Sequence, residues 1–118
     1  PFDVGQAAVV AGNHVLAVEG AEGTDAMLVR IAEMRRCGRI QASRGTGVLV
    51  KAPKAGQDRR FDLPTIGPQT IAGIANAGLA GLAVVAGGSV IAEPDAIVAA
   101  ANRVNVFIVG TPEPGRGR

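Results

Sequence analysis

The run Gly47-Val48-Leu49-Val50-Lys51 decides how the rest of this 118-residue chain is read. A strand with one wet face alternates apolar and polar residues. A short continuous apolar run is the pattern of a central strand buried on both faces. Lys51 stands at the C-terminal end of that strand, the end at which ligands usually bind in α/β sheets. Immediately upstream, Leu28, Ile31, Ala32 and Met34 or Arg35 recur at helical spacing, with Arg30, Glu33 and Arg36 on the opposite face. The spacing predicts an amphipathic helix from Asp25 to about Cys37, capped by Thr24 and stopped by Gly38. Before it, Ala7 to Ala11 and His14 to Glu19 are β-prone runs joined by Gly12-Asn13, a hairpin turn. After Lys51 comes a polar stretch, Ala52 to Thr65. Gly67-Pro68 then reads as cap and first turn of a helix running to about Ala77, with Gly78 ending it.

The remaining third repeats the first. Leu82 to Ala86, the Gly87-Gly88 turn and Ser89 to Ala92 form a second hairpin signal; Pro94 starts a third helix, Asp95 to about Arg103, and Val106 to Val109 is a last strand. Val9 to Ala17 and Val84 to Ala92 match in hydrophobic pattern and in turn position. The expectation is therefore an α/β domain, a mixed sheet with flanking helices, built from pseudo-duplicated ββαβ units. The tail from Thr111, with its Gly-Arg pairs, has no pattern and is expected to be disordered.

Composition bounds the possibilities. At 47% hydrophobic residues the chain can build one core, and with 3% aromatics that core must be Val, Ile, Leu and Ala around 17 glycines. Gly, Asn, Glu or Pro interrupts every apolar run well short of the roughly 20 residues of a membrane span, so a soluble domain is expected. A lone Cys37 excludes an internal disulfide or a thiolate metal cluster and fits a reducing compartment. The chain opens at Pro1 rather than Met, which suggests that an upstream part was removed or lies elsewhere. A net charge of +2 hides a concentration of cations: between Arg30 and Arg60, nine Lys or Arg stand against Glu33 and Asp58. Such a stretch attracts anions. Arg30, Arg35, Arg36 and Arg39 read as a solvated helix face and loop, which leaves Lys51 to Arg60 to be explained.

That segment, from Lys51 to Thr65, packs Lys51, Lys54, Arg59, Arg60, Asp58, Asp62 and Gln57 into fifteen positions. Phosphoryl chemistry needs such a mixture, because cations neutralise non-bridging oxygens while carboxylates hold a hard divalent ion or orient water. The plain alternative is a solvated loop in which Asp58 and Asp62 pair with Arg59 and Arg60. A second candidate is the acidic turn Glu19-Gly-Ala-Glu22-Gly-Thr24-Asp25. Either Glu19 or Glu22 could face a metal, although helix capping already accounts for Thr24 and Asp25. His14 is the sole histidine, which excludes a His-based metal site or a Ser-His-Asp triad, and neither a P-loop nor a dinucleotide fingerprint is present. Cys37 reads as packing at the end of its helix.

The combination Phe2-Asp3-Val4-Gly5-Gln6, Glu22-Gly-Thr-Asp25-Ala-Met27, Val50-Lys-Ala-Pro-Lys54, Gly56-Gln-Asp58 and Leu63-Pro-Thr-Ile-Gly67-Pro68 resembles the C-terminal domain of LpxI-type UDP-2,3-diacylglucosamine pyrophosphatases, from Pro1 to about Gly110. The resemblance implies a cytoplasmic, Mg²⁺-dependent hydrolase of Gram-negative lipid A synthesis that splits UDP-2,3-diacylglucosamine into UMP and 2,3-diacylglucosamine 1-phosphate. It also implies an N-terminal domain as partner, absent from this chain, with the acylated sugar between the two. Peripheral contact with the inner membrane and homo-oligomerisation are compatible with it. The essential aspartate of the family's Gly-Gln-Asp motif would be Asp58, as metal ligand or water-orienting base, with Asp25 as a further metal ligand. Lys51, Lys54 and Arg59 would neutralise the diphosphate, and Gln57, Thr65 and Thr24 would contact substrate. The competing reading is a non-catalytic module that binds nucleic acid or an anionic membrane through the basic stretch. Three Phe with no Tyr or Trp make a poor stacking platform for single strands, so no nucleic-acid partner is expected. A purely structural or dimerisation domain would leave Lys51 to Thr65 without a purpose.

Overall fold

The computed structural model describes residues 7–40, 45–52, 65–85, 90–91 and 94–111. In chain order these form β1 (Ala7–Ala11), β2 (His14–Val18), α1 (Thr24–Arg36), β3 (Val48–Lys51), β4 (Thr65–Ile66), α2 (Pro68–Asn76), β5 (Gly81–Val85), β6 (Val90–Ile91), α3 (Pro94–Val104) and β7 (Phe107–Thr111). The main sheet runs β2-β1-β3-β5-β7, with β3, β5 and β7 parallel and β1 antiparallel to both its neighbours. Its centre is β3, as the apolar run predicts.

Register explains the core. Val9, Leu49, Leu82 and Ile108 form one row across four strands, and the first three are wholly buried. They meet Met27, Leu28 and Ile31 of α1, Ile71 and Ile74 of α2, and Ile97 and Ala101 of α3 in a single apolar cluster. Since α1 packs on α2 and α2 on α3, all three helices cover the same face. The alternate row therefore lacks that cover. Val48 and Val50 are half-buried, and Val15, Val18, Phe107 and Val109 are exposed. Burial of β3 on both faces, expected from its unbroken apolarity, is thus complete on one face only, because the helices form a single layer.

The C-terminal ends of α1 and α2 follow their sequence signals. After α2, Ala77 is the C-cap and Gly78 takes φ 78°, a conformation that L side chains rarely adopt. The Gly78 amide then reaches Ala75 O and the Leu79 amide reaches Ile74 O, which satisfies two orphan carbonyls of the last turn. Gly38 closes α1 in the same way. Arg35 on α1 packs against Gly78 and donates Nε–H to Ala77 O at 2.8 Å, so this cation serves the α2 terminus rather than solvent.

The two halves share an order of elements, but their strand pairing does not match the expected pseudo-duplication. The second copy should make a hairpin of β5 and β6, yet β6 pairs in parallel with β4, a two-residue strand that begins at Thr65, the last residue of the polar stretch. Both edges of β5 are already taken by β3 and β7, so the main sheet has no place for β6 beside it. Thr111, assigned to the disordered tail, is the last residue of β7 and pairs with Val85; residues 112–118 lie outside the described residues.

Leu49→Ala should cost about 2–5 kcal/mol by opening a cavity at the centre of the core, whereas Val15→Ala on the uncovered face should stay within about 0.5 kcal/mol. Urea unfolding of the two variants measures the difference.

Candidate active site

Lys51 ends β3 on the helix-covered face, in register with Ala7 on β1 and Val84 on β5, and is only 5% exposed. A buried ammonium is costly unless a carboxylate and hydrogen bonds compensate it. The sheet supplies that carboxylate by topology. Because β1 runs against β2 and β3, the ends of β2 and β3 lie at the same edge of the sheet, with Ala8 opposite Val18 and Ala7 opposite Lys51. The Glu19 amide continues the hairpin by donating to Ala7 O at 2.9 Å. One residue past β2, Glu19 therefore lands beside Lys51, with Oε1 3.8 Å from Nζ.

Thr24 completes the group. Its hydroxyl accepts from Lys51 Nζ at 2.8 Å and donates to Glu19 Oε1 at 2.6 Å. The order is fixed chemically, since an ammonium only donates and an ionised carboxylate only accepts. This corrects the expected role of Thr24 as helix cap. The N-cap is Gly23, at φ 91°, with no side-chain capping bond, so Thr24 falls one residue inside α1 and its hydroxyl turns to Lys51 and Glu19.

A second tie brings α2 to the same place. Thr70, buried in the first turn of α2, donates its hydroxyl to Asp25 Oδ1 in the first turn of α1 at 3.2 Å. Two helix N-termini, with their positive dipole ends, thereby gather at the sheet edge that holds Lys51. Pro68 at the first position of α2 wastes no donor there.

Of the predicted site residues, Lys51, Thr24 and Asp25 are thus brought together. Thr65 opens β4, with Val90 as its strand partner. Lys54, Gln57, Asp58 and Arg59 lie outside the described residues. The acidic turn divides. Glu22 points away, its Oε2 2.7 Å from Arg30 and its Oε1 accepting the Gly20 amide; the Arg30 guanidinium holds its carboxyl below the usual carboxylate range. Arg36 pairs with Glu33 at 2.8 Å on the surface. The solvated-face reading of the helix arginines is therefore right for Arg30 and Arg36. Glu19 as partner of Lys51 was not singled out; its position just past β2, at the same sheet edge as Lys51, is the signal that could have found it. Among the described residues no group of three His, Cys, Asp or Glu stands ready to hold a metal.

A buried lysine and two helix N-termini at the carboxyl edge of a mixed sheet are features that anion-binding α/β domains share. The profile of the LpxI C-terminal domain matches residues 1–109, and the chain belongs to that family. It is 50% identical over 109 residues to the UDP-2,3-diacylglucosamine pyrophosphatase LpxI of Caulobacter vibrioides, a match covering 92% of this chain and 39% of that protein.

Thr70→Val keeps the shape of the side chain and removes the tie to Asp25, and should cost about 1 kcal/mol. Thermal or urea unfolding measures it, with Thr70→Ser expected to retain most of the stability. Equal stability of Thr70→Val and the parent would mean that the α1–α2 tie contributes nothing.

Proposed function

We propose that this chain is the C-terminal catalytic domain of a pyrophosphatase that hydrolyses UDP-2,3-diacylglucosamine to UMP and 2,3-diacylglucosamine 1-phosphate. The observation that carries this reading is the 50% identity, over 92% of the chain, to a protein named for that activity. The chain spans 39% of that relative's length; in this reading the full enzyme also carries an N-terminal domain, and the acylated sugar lies between the two. The compartment is the cytoplasm, with the acylated substrate drawing the enzyme to the inner membrane surface.

In this reading Lys51 meets the diphosphate at the sheet edge, and Lys54 and Arg59 add charge neutralisation. Preorganised donors aimed at developing negative charge account for much of the barrier reduction in such reactions. Gln57 and Thr65 donate hydrogen bonds, and Asp58 binds the metal or orients the attacking water. Mg²⁺ takes one or two carboxylates together with substrate phosphates, so Asp25, exposed in the first turn of α1, and Asp58 carry donors of the right chemistry. Once bound, the ion would neutralise charge on the diphosphate oxygens. Thr24 has its hydroxyl committed to Lys51 and Glu19, so its influence on substrate passes through Lys51.

In the full-length enzyme Asp58→Ala should lower turnover by about 10²–10⁴ while melting and substrate binding stay near normal, because the substitution removes a charged group and no apolar one. Release of UMP should stop on chelation and return with Mg²⁺. A folded Asp58→Ala variant with normal turnover would remove Asp58 from the mechanism.

A further inference from the structure

We infer that Glu19 is a positioning residue for this hydrolysis: through the Thr24 hydroxyl it fixes the Lys51 ammonium at the sheet edge. The inference rests on the pyrophosphatase reading above and extends it to a residue with no assigned role.

Three observations converge on it. The Lys51 side chain is 6% exposed and that of Glu19 is 16% exposed, so the two lie largely out of water. Glu19 does not hydrogen-bond Lys51 directly; at 3.8 Å it compensates the charge, while Thr24 makes both short contacts, 2.8 Å to the ammonium and 2.6 Å to the carboxylate. The group is also anchored on both sides, because the Glu19 backbone is pinned to Ala7 O and Thr24 sits in the first turn of α1.

The arrangement has a consequence for ligand binding. A lysine on a flexible stem loses rotamer freedom when it must hold one geometry. Here one N–H is directed to Thr24, which leaves two further donors on Nζ. A direct Lys51–Glu19 hydrogen bond would draw the ammonium toward the carboxylate. The interposed hydroxyl keeps Glu19 close enough to balance the charge and too far to compete for those donors. A cation held this way before substrate arrives needs no reorganisation as charge develops on a phosphate oxygen. Glu19 touches neither substrate nor the attacking water in this scheme and acts only through Lys51.

The test uses the full-length enzyme, UDP-2,3-diacylglucosamine and Mg²⁺, with UMP release as the readout. Glu19→Gln keeps an acceptor for Thr24 and removes the charge; Thr24→Val keeps the shape and removes the bridge. Each should lower kcat by about 10- to 100-fold with KM changed less than threefold, since an interaction that matters mainly in the transition state appears in kcat. Thr24→Ser should keep at least a third of kcat. The Glu19→Gln/Thr24→Val double variant should lose no more than about twice the worse single variant, because both act on one ammonium. Thermal melting confirms that each variant is folded at the assay temperature, and Thr24→Val with Thr24→Ser carries the test if Glu19→Gln is not. Glu19→Gln and Thr24→Val turning over within threefold of an active parent would overturn the inference and leave the pyrophosphatase reading standing. So would losses that simply multiply in the double variant. An inactive parent would overturn both.

Discussion

A lysine must end the central strand and still be compensated where its ammonium emerges. Lys51 lies on the covered face of β3, so its nitrogen surfaces at the sheet edge beneath the first turn of α1. A carboxylate and a hydrogen-bond acceptor delivered to that edge offset its burial. The antiparallel turn of β1 and β2 brings Glu19 there, and the glycine cap of α1 frees Thr24 to join the two. The hairpin, the start of α1 and the end of β3 are thus set by one charge, and the Asp25–Thr70 bond carries the constraint on to α2.

The same constraint sorts the cations. Arg30 and Arg36 are neutralised by Glu22 and Glu33 along α1, and Arg35 serves the end of α2. Exposed pairs of this kind contribute little to stability, a median of about 0–1 kcal/mol, but they take positive charge off the surface. Lys51 differs in being buried and in having its charge balanced through a hydroxyl instead of by direct contact. What looks in sequence like one basic stretch is therefore divided by structure, with helix arginines turned to local partners and Lys51 turned to the sheet edge.

Much of this fold was legible because its signals are local. Gly12-Asn13 between two apolar runs, Gly38 and Gly78 after periodic segments, and Pro68 after Gly67 mark their elements through backbone preferences that act within a few residues. Pairing was less legible where it depends on competition. The Val84 to Ala92 pattern resembles Val9 to Ala17, yet β6 joins β4 because β5 is flanked on both sides. Lys51 could be placed from its strand and its end, whereas Thr24 and Asp25 read from spacing alone as helix capping. Glu19 could not be separated from Glu22 by spacing; the register of β2 against β1 and β3 decided between them. The proposed substrate comes from family likeness alone, since a buried lysine beside two helix N-termini suits many phosphate esters.

The most direct measurement is the steady-state rate of UMP release from UDP-2,3-diacylglucosamine by the full-length enzyme carrying Lys51→Met, a variant that keeps the aliphatic bulk of the side chain and removes its charge. Loss of one preorganised donor of this kind should lower kcat by about 10²–10³ in a protein that still melts cooperatively. Turnover within threefold of the parent, in a folded variant, would contradict the placement of Lys51 at the diphosphate.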